Sequence, residues 1–403
     1  MKAEQGSRGL FYWQDIWLPH SHFIVEGLQR EPRDCEIVIA GPARRANAAA
    51  IFTVLGKTES SVAKGTVERT KSYRWRETAC TFSEWCRLIR RYRPDVVIVA
   101  DEAMSLNVLL ASIANRVYGR GIVLFYAFEN IRQGAGWRIF FRKPSLHSLR
   151  SCLLKSMRFL LLDRLLMPVR RRLVAGGLVS YEECAEVVRA HGWAPLMAQQ
   201  WWPVDDRVFV PDGSRADFGL SASFVVGFVG RFILEKGIGY LLDAMAQLDD
   251  RFGIALIGDG PQRPALERRI AELSLGRRAR ILPPQSSEML ARSYRAMDLL
   301  VLPSISTDTW KEQYGRVLVE ARACGTQVAG SNSGAIPLVV GDPEMIFPEG
   351  DVSAIVQTIC RAADRQSART VVAEVPSPVE FLRAWLSLAD SCLGKKVGIK
   401  STE

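Results

Sequence analysis

Short apolar runs recur through this chain: DVVIVA at 95–100, IVLFY at 122–126, FVVGFV at 224–229, GIALI at 253–257 and LLVLP at 299–303. Each is short for a helix and too uniformly apolar for a strand with one wet face. Such runs read as parallel strands buried on both sides. Stretches with helical spacing lie between them, at 82–92, 103–118 and from Glu182 onward. Strand and helix in alternation imply an α/β fold, a parallel sheet covered by helices on both faces. The second half continues the pattern, with strands expected at 224–229, 253–257, 278–282, 298–302, 326–330 and 344–347. In the first half strands are expected at 9–13, 36–40 and near 173–179, while 43–80 stays ambiguous between strand and helix.

The chain has 403 residues, enough for two domains of ordinary size. Trp202-Pro203-Val204-Asp205, then Phe209-Val210-Pro211, mark the crossing. The expected division is 1–203, 204–375 and a tail, 376–403, whose residues 379–393 form a helix. No run approaches the ~18–20 uncharged apolar residues of a spanning helix. The N-terminus lacks the charged and apolar regions of a secretory signal. Eight cysteines are scattered without a C-x-x-C pair, so reduced thiols in a cytoplasmic protein are expected. Net charge is +10, and residues 137–172 alone carry +9 of it. The remainder is near neutral, which argues against a general nucleic-acid binder.

One stretch organises the second half: WKEQYGRVLVEARACG, 310–325. It places Glu312 on a strand-to-helix loop and Glu320 about two turns inside the following helix. The N–H groups at the helix start, around Gly315, Arg316 and Val317, make an anion site. Each carboxylate can accept two hydroxyl hydrogen bonds. An acid, an anion-binding backbone and a second acid suit a sugar, a diphosphate and a ribose in turn.

This stretch resembles the E-x7-E signature of retaining glycosyltransferases of family 4, GT-B fold. VGFVGRFILEKG at 226–237 is similar to that family's phosphate loop, IGDGP at 257–261 follows at the family's place, and GSNSGAIP at 330–337 resembles the loop that closes over the donor. The resemblance is specific over 204–359 and weak over the first half. It implies two Rossmann-like doubly wound domains facing a cleft, with the C-terminal helix crossing back to the first. It also implies transfer of a sugar from a nucleotide-sugar to a hydroxyl acceptor with retention at the anomeric carbon. Arg231 and Lys236 would flank the diphosphate, and Glu312 would hold donor-sugar hydroxyls. Glu320 would take the ribose, and Gly230, Gly258, Gly260, Tyr314, Gly315, Arg316, Val317, Ser333 and Gly334 would shape the donor site.

On the acceptor side the resemblance points to His20, with His22 beside it, and to Glu129 and Asn130, with Asp101-Glu102 as a weaker case. There is no Asp-x-Asp triplet, and no cofactor or catalytic metal is expected. Relatives carry an acid near Ala335 or Leu338, which this chain lacks. Other readings are a nucleotide-sugar 2-epimerase, a phosphorylase or a non-catalytic nucleotide-sugar-binding subunit; the presence of Arg231, Lys236 and Glu312 together argues against the last. The basic, apolar-rich segment 137–172 reads either as a helix pair with a solvated basic face or as an interfacial segment on an anionic membrane. The second reading makes the protein peripheral to the inner face of the plasma membrane, in surface polysaccharide or glycolipid assembly.

Overall fold

The computed structural model describes residues 8–13, 36–42, 65–70, 72–73, 76–127, 165–193, 196–199, 203–308, 310–365 and 377–393. Contacts divide the chain into two units, Met1–Pro203 with Ser377–Glu403, and Val204–Pro376. The first unit contains β1 (Arg8–Trp13), β2 (Glu36–Pro42), β3 (Gly65–Thr70), β4 (Ser72–Tyr73), β5 (Arg76–Cys80), α1 (Phe82–Tyr92), β6 (Val96–Ala100), α2 (Leu106–Tyr118), β7 (Ile122–Ala127), α3 (Leu165–Leu173), β8 (Gly176–Val179), α4 (Glu182–Ala190) and β9 (Leu196–Gln199). Seven strands form one sheet in the order β3-β2-β1-β6-β7-β8-β9, and every pairing is parallel. β4 and β5 make a separate antiparallel pair. The apolar run of β6 is buried at every position, as two-sided cover requires.

The second unit contains β10 (Phe224–Val229), α5 (Ile238–Ala246), β11 (Phe252–Ile257), α6 (Arg263–Glu272), β12 (Ala279–Leu282), α7 (Ser287–Ala296), β13 (Leu299–Leu302), α8 (Arg316–Ala323), β14 (Gln327–Ser331), α9 (Ile336–Val340), β15 (Ile346–Phe347) and α10 (Val352–Asp364). Its parallel sheet runs β12-β11-β10-β13-β14-β15. Each sheet therefore starts near its middle, builds to one edge, and returns to the other side of its first strand. That is the doubly wound arrangement, with a switch point beside the first strand.

The last helix, α11 (Pro378–Leu393), belongs to the first unit and packs on β7, β8 and β9. Phe381 and Trp385 are buried there against Tyr126, with ring centroids 5.9 and 5.7 Å away. Tyr126 in turn shares a 3.1 Å hydrogen bond with Ser180.

Three readings of the first half need correction. Gly65–Thr70, Ser72–Tyr73 and Arg76–Cys80 form strands, and Leu196–Gln199 adds an edge strand. β3 and β9 are the two edges of the sheet, and their runs GTVERT and LMAQ lack a uniformly apolar pattern. The strand placed near 173–179 is shorter, because Leu165–Leu173 is helical. Pro168 sits in the first turn of that helix, where backbone N–H groups have little helical pairing to lose. Arg170 was counted among cations free for lipid phosphates. It is buried, and its Nη1 donates to the carbonyls of Ala103 at 3.2 Å and Ser105 at 3.1 Å. Arg171 and Arg172 are exposed. Residues 14–35, 43–64 and 128–164, which include most of the basic segment and part of the ambiguous stretch, lie outside the described residues.

Trp385→Ala should remove about 3–5 kcal/mol from the first unit, the usual cost of deleting a large buried ring. Calorimetric unfolding should show the first unit melting earlier while the second keeps its transition.

Candidate functional site at the strand ends

A parallel sheet offers ligands its strand C-termini, and the second sheet switches direction between β10 and β13. Gly230 and Arg231 follow β10; the 303–312 loop follows β13. These two loops are joined by an ion pair 76 positions apart in sequence, Lys236 Nζ to Glu312 Oε2 at 2.5 Å. Ser304 Oγ donates to the same oxygen at 2.9 Å. The side chains of Lys236 and Glu312 are only 14% and 10% exposed, so this charge pair is largely desolvated. The ammonium also lies 5.3 Å from the centroid of the Trp310 ring. Ile305 N donates to Glu235 O at 2.7 Å, a second tie between the same loops.

Arg231 behaves differently. It is exposed, and its guanidinium has no ion-pair or hydrogen-bond partner among the described residues. Lys236 is thus a held charge and Arg231 an available one.

Among the described residues, side-chain caps set the helices after the two outer strands apart from the other four of this unit, α6 and α9 included. α7 and α10, after the outer strands β12 and β15, are capped by the side chains of Ser286 and Asp351. α5 and α8, after β10 and β13, begin at Gly237 and Gly315 with no side-chain cap. The first donor to close onto α8 is Leu318 N, on Gly315 O at 2.9 Å. The N–H groups of Gly315, Arg316 and Val317 precede it, next to the buried Lys236–Glu312 pair's own loop. Gly315 holds φ at 75°, which admits glycine and disfavours a side chain. A helix start of this kind favours an anion.

Glu320 lies about one turn into α8, nearer the helix start than expected, because the helix opens at Arg316. It is buried; Tyr294 donates to its Oε2 at 2.9 Å, and Arg316 Nε lies 3.1 Å from Oε1. Tyr294 carried no signal in the sequence, since a tyrosine in an amphipathic helix reads as core. Burial raises the Glu320 carboxyl above its ordinary 4.5, with Arg316 and Tyr294 acting in the lowering direction.

Ser333 and Gly334 follow β14, as expected. Gly334 has φ of 51°, and a Cβ there would stand 2.0 Å from the backbone oxygen of Glu312, so only glycine lets this loop cross the Glu312 backbone. Gly258 and Gly260 likewise pack against protein backbone, at Gly230 O and Phe232. Tyr314 is half-buried beside the helix start. Asp101 is buried, accepts from Asn107 Nδ2 at 2.9 Å, and caps the N–H of Glu102, a structural arrangement. His20, His22, Glu129 and Asn130 lie outside the described residues.

The fold is the GT-B fold. A crystal structure of a glycosyltransferase from Rickettsia africae aligns with TM-score 0.70 at 14% identity, over 98% of this chain and 100% of that one. Anabaena Alr3699/HepE in complex with UDP and glucose aligns with TM-score 0.62 at 17% identity, over 96% and 98%. Residues 214–374 match the family described as glycosyl transferases group 1. A D-inositol 3-phosphate glycosyltransferase of Mycolicibacterium smegmatis is 36% identical over 203 residues, 47% of this chain and 44% of the relative. The chain spans less than half the length of the curated relatives it matches.

A buried carboxyl with a raised pKa binds its proton more tightly in the folded chain than in the unfolded one. The contribution of Glu320 is therefore most favourable below pH 4.5 and declines as pH rises from 4.5 through its folded value. In denaturant melts, Glu320→Gln should gain stability relative to wild type as pH rises through that window. Tyr294→Phe, which removes the donor to Oε2, should cost about 1–3 kcal/mol at neutral pH.

Proposed function

We propose that this protein is a glycosyltransferase that moves a sugar from a nucleotide-sugar to a hydroxyl acceptor. The observation that carries the reading is the buried Lys236–Glu312 pair at the β10–β13 switch point, with the exposed Arg231 and the open start of α8 in the same loop cluster. Such a set stabilises negative charge that develops on a departing diphosphate. Fixed dipoles and cations in a site of low dielectric need no reorganisation as that charge appears. Arg231 supplies a fork of donors for phosphate oxygens. Lys236 supplies a charge whose position Glu312, Ser304 and Trp310 fix. Glu320 accepts from the ribose with lone pairs that Tyr294 leaves free.

The finer reading is retention at the anomeric carbon. The acceptor hydroxyl attacks from the face the diphosphate leaves, through an oxocarbenium-like state, and its proton passes to a donor phosphate oxygen. No protein nucleophile and no divalent ion take part. HepE's crystallisation with UDP and with UDP-glucose favours a UDP-sugar donor. The inositol phosphate named for the mycobacterial relatives makes a polyol phosphate the first acceptor to try. The first unit supplies the acceptor side. The basic segment 137–172 brings the protein to anionic lipid, consistent with work on surface polysaccharide or glycolipid. Among the described residues, no helix is long and apolar enough to cross a membrane.

Hydrolysis of a panel of nucleotide-sugars without acceptor tests the activity and names the donor; an inert wild type across the panel refutes it. Arg231→Ala should lower turnover at least a hundredfold, about 2.7 kcal/mol at 1.36 per decade, with unchanged unfolding. Lys236→Ala should lose turnover to the same extent and also destabilise the second unit, by about 3–5 kcal/mol, because Glu312 is left buried without its cation. Turnover should survive excess EDTA; loss restored by magnesium or manganese would overturn the metal-free mechanism. Co-sedimentation with phosphatidylglycerol vesicles at low salt, and not with neutral ones, tests the lipid contact. Arg171→Glu with Arg172→Glu should weaken it, while Arg170 is left in place to preserve the fold.

A further inference from the structure

The backbone ladder between β13 and β14 ends at Leu302–Gly330. Beyond it the two strand-end loops are joined by serine side chains instead. Ser331 Oγ donates to Ser304 O at 2.5 Å, and Ser306 and Ser333 share a hydrogen bond at 2.9 Å. The second rung ends on Glu349, in the loop after β15. Its carboxylate accepts from both Ser306 N and Ser306 Oγ, each at 2.6 Å. Glu349 is itself tied down, since its N–H donates to Asn332 Oδ1 at 3.0 Å and Asn332 N donates to Phe347 O at 2.9 Å.

Hydrogen counting fixes the direction of this chain. A carboxylate only accepts, so the single hydroxyl hydrogen of Ser306 points at Glu349. Ser333 must then donate to Ser306. The order runs Ser333 to Ser306 to Glu349, and every bond ends on one negative charge. Charge-assisted bonds of this length are the stronger kind. Two residues before Ser306, Ser304 donates to the Glu312 oxygen that holds Lys236.

We infer that Glu349 is a positioning residue of the transfer site: by clamping Ser306 it fixes the 303–312 loop, and through that loop the Lys236–Glu312 pair. This rests on the transferase reading for its effect on turnover. Ser306 donates two bonds to one carboxylate, so removing that carboxylate frees the loop's middle from the segment after β15 and leaves it only the Ser333 bond. Helices α5 and α10 do not depend on it.

The test uses the full chain and two readouts. The first is amide hydrogen exchange of the 303–312 peptides. Glu349→Ala should speed exchange at Ser306 about tenfold or more while α10 is unchanged, since local opening is governed by such bonds. Glu349→Gln, which keeps one acceptor oxygen, should fall between the variant and wild type. The second readout is turnover of the nucleotide-sugar that the hydrolysis panel identifies. Glu349→Ala should lower kcat about tenfold, with the donor KM within about twofold, because a misplaced group costs rate more than binding. Glu349→Gln should recover most of it. Unchanged exchange in Glu349→Ala overturns the clamp, and faster exchange with unchanged kcat overturns its role in positioning. If the wild type turns over no nucleotide-sugar, the transferase reading fails and the exchange result alone decides the clamp.

Discussion

A parallel sheet covered on both faces can meet a ligand only at its strand ends. Both units are built on such a sheet, and in the second it concentrates the chemistry into a few loops. The interiors of β10, β11 and β13 are apolar and closed. Their C-terminal extensions carry Arg231, Lys236, Ser304 and Glu312. The polar groups there are not scattered over a surface, because the doubly wound order brings the loops after β10 and β13 side by side.

Within that cluster the Lys236–Glu312 pair is poorly explained as a source of stability. Burying two charges costs several kcal/mol per ion, and an apolar replacement of equal volume would serve the fold as well or better. The pair makes sense as a device for holding an ammonium where its flexible stem would otherwise wander. Ser304 and Trp310 add to the restraint. Arg231, exposed and without a partner among the described residues, is the complementary choice: a cation available to a ligand. Glycine caps at Gly237 and Gly315 follow the same logic, since side-chain caps would consume the donors that an anion needs.

Glu320 and Tyr294 show a buried acid handled in another way. Here no ammonium is held; a phenol and a partly exposed guanidinium share the carboxylate, and burial keeps its pKa high. A group in that state can accept hydrogen bonds from neutral hydroxyls without bringing a fully solvated charge to them.

Sequence by itself determined the buried strands, the α/β class, and the positions of Arg231, Lys236, Glu312 and Glu320, because each is a local pattern: an apolar run, a glycine beside a cation, two acids at a fixed spacing. It missed what sits at edges, such as β3 and β9, whose runs GTVERT and LMAQ carry no uniform apolar pattern. It also misjudged Arg170, whose basic neighbours Arg171 and Arg172 look identical to it in a linear reading. Only the fold decides that one of three consecutive arginines turns inward to carbonyls 65 and 67 positions away. The same holds for Tyr294, for Ser306 and for Glu349. Their roles depend on contacts across 26 to 43 positions of chain. The period-two serines of S-I-S and S-N-S become a ladder only when parallel strands bring them together. Tertiary structure supplied those pairings because hydrogen bonds are made between neighbours in space, and only the sheet order makes these residues neighbours.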